Sequence, residues 1–147
     1  MDTRQAAVYY LLKVLRRPAS RTEIVKMLFL ADLELVRGGR QPLFRWIRWY
    51  YGPFSREVLD VLDALEELGL VSVDRVIDIW TLKTRKIEYR AVEASDNALG
   101  VLDDSVRLAV ERVAERWRSR GLEELIRYVY SLPQVCGKKL GEVIELE

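Results

Sequence analysis

Four carboxylates on one short segment, Asp60, Asp63, Glu66 and Glu67, come nearest in this 147-residue chain to a pattern that does chemistry. On a helix, positions i, i+3 and i+7 share a face, so Asp60, Asp63 and Glu67 would offer oxygens to one divalent cation. The same segment carries Val58, Val61, Leu62, Leu65 and Leu68 at helical spacing. An amphipathic helix with a solvated acidic face explains both stripes without a ligand, and the segment favours that reading. There is no histidine, hence no imidazole for a triad or for a general base near neutrality. Gly38-Gly39 lacks the spacing of a phosphate-binding loop. Cys136 is the single cysteine, which excludes an internal disulfide and a cysteine metal cluster. Lys138 and Lys139 would favour its thiolate, but no imidazole accompanies it. The expectation is a protein that is not an enzyme, with no catalytic, cofactor-binding or metal-ligating residue and no cofactor.

A second constellation suits binding. Arg37, Arg40, Arg45 and Arg48 interleave with Phe44, Trp46 and Trp49, a composition fit for phosphate contact and base stacking. The competing reading buries the rings and leaves the arginines to solvent or to the acidic segment. Charge is distributed unevenly: residues 1–50 hold 10 Lys+Arg against 4 Asp+Glu, and residues 51–74 hold 1 against 6. Neighbouring surfaces of opposite sign steer and orient a protein partner. Arg45, Arg48, Asp60, Asp63 and Glu67 are therefore the candidate partner contacts.

The elements that must position these residues follow from spacing. Thr3 to Arg16 predicts a helix with Ala6, Ala7, Tyr10, Leu11 and Val14 on its apolar face. Ser20 and Glu23 form a capping box for a second helix, Arg21 to Val36, which is apolar nearly all round and belongs at the centre of the domain. Leu43 to Tyr51 fits either a helical face or a strand, and its aromatic enrichment favours the extended form. Two Trp and two Tyr between Trp46 and Tyr51 are expected to lie against the core. Gly52-Pro53 breaks the segment, and Ser55 is placed to cap a third helix, Ser55 to Leu68, with Glu57 in its first turn. Residues 71–92 read as a β-hairpin around polar Lys83–Lys86, and Asp96-Asn97 with Gly100 as a loop. Asp103 to Arg118 and Leu122 to Ser131 complete the helices, Pro133 breaking the last; Val143, Ile144 and Leu146 would add a short edge strand. The sum is a single mainly helical α+β domain over 1–147, about five helices around a central one with a small β-hairpin.

That hairpin after two helices is winged-helix-like. As a recognition helix, however, residues 55–68 would turn five acids and one arginine toward phosphate. The connection from Arg37 to Phe54 also far exceeds the roughly 3–4 residue turn of a helix-turn-helix. A nucleic-acid-binding regulator using residues 37–51 is accordingly the alternative.

Three motifs carry a resemblance. Lys26-Met-Leu-Phe-Leu-Ala-Asp32, Trp49-Tyr-Tyr-Gly-Pro-Phe-Ser55 and Leu65-Glu-Glu-Leu-Gly-Leu-Val71 look like the SocA-like antitoxin family, the Panacea domain, over about residues 8–72. Tyr128-Val-Tyr-Ser-Leu-Pro133 and Gly141-Glu-Val-Ile144 are similar to the family's C-terminal end more loosely. The resemblance marks Lys26, Asp32, Trp49, Tyr51, Gly52, Pro53, Phe54 and Ser55 as family motif residues, expected to be structural rather than catalytic. It implies a compact domain that acts by protein–protein binding, neutralising a toxin or delivering it to a protease. The expected partner is thus a protein, a toxin in the antitoxin case. No apolar run approaches the roughly 20 residues of a membrane span, and a cytoplasmic location is expected. Arg outnumbers Lys by 18 to 6 with one Asn and three Gln, a composition that leans toward a thermophile.

Overall fold

The computed structural model describes residues 1–93 and 99–146. Helix α1 (Thr3–Leu15) opens on a capping box in which Asp2 accepts from the Gln5 amide and the Gln5 side chain returns to Asp2. It buries more than the expected face, with Val8, Tyr9, Leu12 and Leu15 also inside. Strand β1 (Ala19–Ser20) leads into helix α2 (Arg21–Arg37), whose Ser20–Glu23 capping box forms as the sequence indicates. Ten consecutive residues of α2, Ile24 to Leu33, are buried. Helices α1, α4 (Asp104–Trp117) and α5 (Leu122–Ser131) and the strand β3 (Gly52–Phe54) all touch α2, which is why it tolerates no polar face.

Strand β2 (Ile47–Trp49) pairs antiparallel with β3 in a two-stranded sheet, so the aromatic segment is extended as its composition favours. Helix α3 (Arg56–Glu67) follows, burying Val58, Leu62 and Leu65. Leu68, expected inward, is 60% exposed. It lies past the last turn, where Gly69 at φ +75° closes the helix and the Leu70 amide returns to the Leu65 carbonyl. Strands β4 (Val71–Ile77) and β5 (Thr84–Ala91) form the expected hairpin, and β1 extends it to a three-stranded antiparallel sheet of order β1-β5-β4.

The hairpin turn falls earlier than the polar run Lys83–Lys86 suggested. The Asp78 carboxylate accepts the amides of Trp80 and Thr81, and Leu82 adopts φ 59°. This local side-chain cap fixes the reversal and draws Thr84–Lys86 into β5. It also leaves Ile79, Trp80 and Leu82 at the tip, each at least 78% exposed.

Asp103 caps α4 by accepting the Val106 amide, and α4 buries Val106, Ala109, Val110, Val113 and Trp117 as its spacing indicates. Pro133 does more than end α5: it occupies the first position of a short helix α6 (Pro133–Cys136), where its missing N–H costs nothing. The tail lies along β2, with Arg48 N donating to Glu142 O, Gly141 N to Arg48 O and Ile144 N to Trp46 O. The expected edge strand is thereby reduced to one bridge, Ile47 to Val143. The loop read at Asp96-Asn97 lies outside the described residues.

Candidate binding site at the aromatic hairpin

Trp49 pairs with Gly52, so Tyr50 and Tyr51 form the whole reversal between β2 and β3. Gly52 takes φ +104°, a conformation that a side chain would strain, and which closes a short hairpin loop. The identical residue types along this segment meet opposite fates. Trp46 is 2% exposed and edge-on to Phe29 and Phe44 at centroid distances of 5.3 and 6.1 Å. Trp49, Tyr50 and Tyr51 are 40, 64 and 67% exposed, which overturns the expectation that the four rings lie against the core. Tyr50 and Tyr51 make the turn beyond the β2–β3 pairing, and the rings there stay largely open to solvent although β3 itself is held against α2.

Helix α2 holds this hairpin through its two buried charges. The Asp32 carboxylate, 1% exposed, accepts the amides of Leu43 at 2.7 Å and Phe44 at 3.0 Å and the Trp46 indole N–H at 2.8 Å. Burial pushes its pKa up to about 6, with those three donors and Arg4 opposing, so Asp32 is ionised at neutral pH. Lys26, 3% exposed, donates to the Pro53 carbonyl at 3.0 Å. Burial, and then the neighbouring Arg48, push its pKa down to about 8. From α5, Tyr130 donates its phenol to the Tyr50 carbonyl at 2.6 Å while the Arg48 guanidinium lies 5.0 Å from its ring centre. The hairpin is therefore pinned from two helices and along the tail, although its tip rings are bare.

The hairpin overhangs a groove of about 290 Å³. Trp49, Tyr50, Tyr51 and Phe54 wall it against Arg21, Val25 and Lys26 of α2 and Leu59 of α3. Ser55 occupies the cap position of α3, but its buried hydroxyl makes no capping bond. Glu57 in the first turn of α3 ties neighbouring segments instead, accepting the Arg45 amide at 2.7 Å and pairing with Arg4 at 2.9 Å.

Of the charged candidates, Arg45 is exposed beside the start of α3, while Asp60, Asp63 and Glu67 are exposed along it, Asp60 paired with Arg56 at 3.5 Å. Glu66 pairs with Arg75 of β4 at 3.3 Å. Arg48 is half-buried and turned toward Tyr130 and the tail, so the structure does not gather it with the acids of α3. Periodicity missed Tyr130, which is 80 residues from its Tyr50 partner; its only signal was its place in the looser C-terminal motif. Among the described residues no group of three or more His, Cys, Asp or Glu is placed to hold a metal, and no helix is long and apolar enough to cross a membrane.

The depressed pKa of Lys26 sets a pH signature. Unfolded, this amine titrates near 10.4; folded, at about 8. Between those values the unfolded chain holds more protons, so raising the pH favours the folded state. Relative to Lys26→Met, the wild type is expected to gain about 2–3 kcal/mol in urea unfolding between pH 7 and pH 10. A difference that stays flat across that window contradicts the buried, charged assignment.

Among known families, the one described as antitoxin SocA-like, Panacea domain, aligns with residues 24–134, about three quarters of the chain. That span begins at α2, includes both of its buried charges and the hairpin, and runs to Tyr130 and the start of α6. No curated protein and no solved structure matches.

Proposed function

The chain belongs to the SocA-like antitoxin, Panacea domain family, and on that premise we propose that it is a non-catalytic protein-binding module that neutralises or delivers a partner protein. The observation that carries the reading is the exposure of Trp49, Tyr50 and Tyr51 on a backbone fixed by Lys26, Tyr130 and the tail. Binding hot spots are rich in Trp and Tyr, and a display held rigid in advance loses little entropy on association. The exposed acids Asp60, Asp63 and Glu67 on α3 and the exposed Arg45 beside its start supply the charged rim, while Arg48, turned toward Tyr130, lies behind it. Such a rim sets encounter rate and orientation more than affinity. A toxin is the partner that family membership suggests.

The test is co-expression with the product of a neighbouring reading frame that arrests growth alone. Wild-type protein is expected to restore growth, and a folded Trp49→Ser/Tyr51→Ser variant to fail. Equal protection by the variant removes the hairpin from the mechanism.

Exposure of Trp49 also suits stacking on a nucleobase, the chemistry of a winged-helix-like regulator. The acidic face of α3 opposes phosphate nearby. Sub-micromolar binding of single-stranded nucleic acid at physiological salt, lost in Arg45→Gln/Arg48→Gln, would put that reading first.

A further inference from the structure

The floor of the hairpin groove carries a charge that the groove does not balance. The Lys26 ammonium has three N–H donors, and the protein acceptor that meets it is the Pro53 carbonyl. The charge that acts on it most is Arg48, another cation, which adds to the burden of burial. One guanidinium nitrogen of Arg48 is itself buried without a hydrogen-bond partner. Arg21 stands at the groove, and no Asp or Glu lines it. A buried cation without a counter-charge is costly, and an incoming anion removes that cost. The remaining walls are Trp49, Tyr50, Tyr51 and Phe54 of the hairpin with Thr22, Val25 and Leu59 of the neighbouring helices. At about 290 Å³ the space suits one or two side chains, below the volume of a typical cofactor pocket.

We propose that this groove takes an acidic segment of the partner protein, a side-chain carboxylate meeting Lys26 while the adjoining aromatic residue packs on the hairpin rings. The inference rests on the docking reading above and names the chemistry of what docks. A neutral polar group in the same place leaves the cations uncompensated, so the groove selects for charge as well as shape. Arg21 and Lys26 in the groove disfavour a basic segment, and Arg48, close enough to act on Lys26, adds to that repulsion.

The probes are two capped dipeptides that differ by one charge, acetyl-Glu-Phe-amide and acetyl-Gln-Phe-amide. They are titrated into the full chain with amide chemical shifts and tryptophan fluorescence as readouts. The Glu peptide is expected to bind at least about tenfold tighter than the Gln peptide, as a charge-assisted hydrogen bond supplies. The shifts are expected to centre on Trp49, Tyr51 and Gly52. In Lys26→Met the two peptides are expected to bind within about twofold of each other. Should that variant not fold, the Glu-to-Gln ratio and the mapped site in the wild type decide alone. Equal affinities in the wild type, shifts centred elsewhere, or a preference that survives in folded Lys26→Met each overturn the proposal. If the peptides bind alike while Trp49→Ser/Tyr51→Ser still abolishes neutralisation, this inference fails and the docking reading stands.

Discussion

Asp32→Ala is expected to lower stability by upward of about 3 kcal/mol, because it strands three donors at once. The amides of Leu43 and Phe44 and the indole N–H of Trp46 share this carboxylate, and Phe44 and Trp46 are 3 and 2% exposed. Water does not reach them to compensate. Part of the loss is offset, since burial holds the Asp32 carboxyl at about 6 and so makes its ionised form costly at neutral pH. The sign follows: between roughly pH 4 and pH 6 the folded chain holds the extra proton. The contribution of this group to stability therefore falls as pH rises through that window. Urea unfolding at pH 7 checks the prediction, and a change under about 1 kcal/mol contradicts the three-donor account. Asp32→Asn is expected to be intermediate, since its single carbonyl replaces one acceptor of two.

Leu28→Asp is expected to leave no folded protein at all. Leu28 is 1% exposed in the middle of the buried run Ile24–Leu33, with α1, α4 and α5 around the helix. Placing a carboxylic acid there, with no donor to meet it, costs several kcal/mol even once it is protonated, comparable to the roughly 5–15 kcal/mol that a domain of this size has to lose. Leu28→Ala, by contrast, is expected to fold with about 2–5 kcal/mol less stability. Circular dichroism and gel filtration separate the two outcomes. A folded Leu28→Asp would mean that α2 is not the centre of the core.

Much of this was legible in the chain. The all-round apolar pattern of Arg21–Val36 announced a central helix, the Ser20–Glu23 box its start, and the β-branched runs of 71–92 a hairpin. These are local signals, read within one turn or one strand. The fates of Trp46 and Trp49 were not local. Trp46 is inside because Asp32, fourteen positions earlier, accepts its indole N–H, while Trp49 is outside because the hairpin reverses before any element covers it. The serine before α3 had the right residue type for a cap, yet Glu57 and Arg45 do the tying there. Likewise, the polar run Lys83–Lys86 looked like a turn, but an Asp78 carboxylate a few residues earlier settled the reversal first. The motif residues Lys26 and Asp32 were visible as motif, whereas their shared task of holding one hairpin from one helix required the fold.

The most direct test of the account measures the affinity of the purified partner, the product of the growth-arresting reading frame, for three forms of this chain. Against wild type, Trp49→Ser/Tyr51→Ser is expected to bind at least about a hundredfold more weakly, the loss of two hot-spot side chains. Asp60→Lys/Asp63→Lys is expected to change chiefly the association rate and its salt dependence. Unchanged affinity in a folded Trp49→Ser/Tyr51→Ser variant would contradict the claim that the exposed rings of the hairpin are where this protein meets its partner.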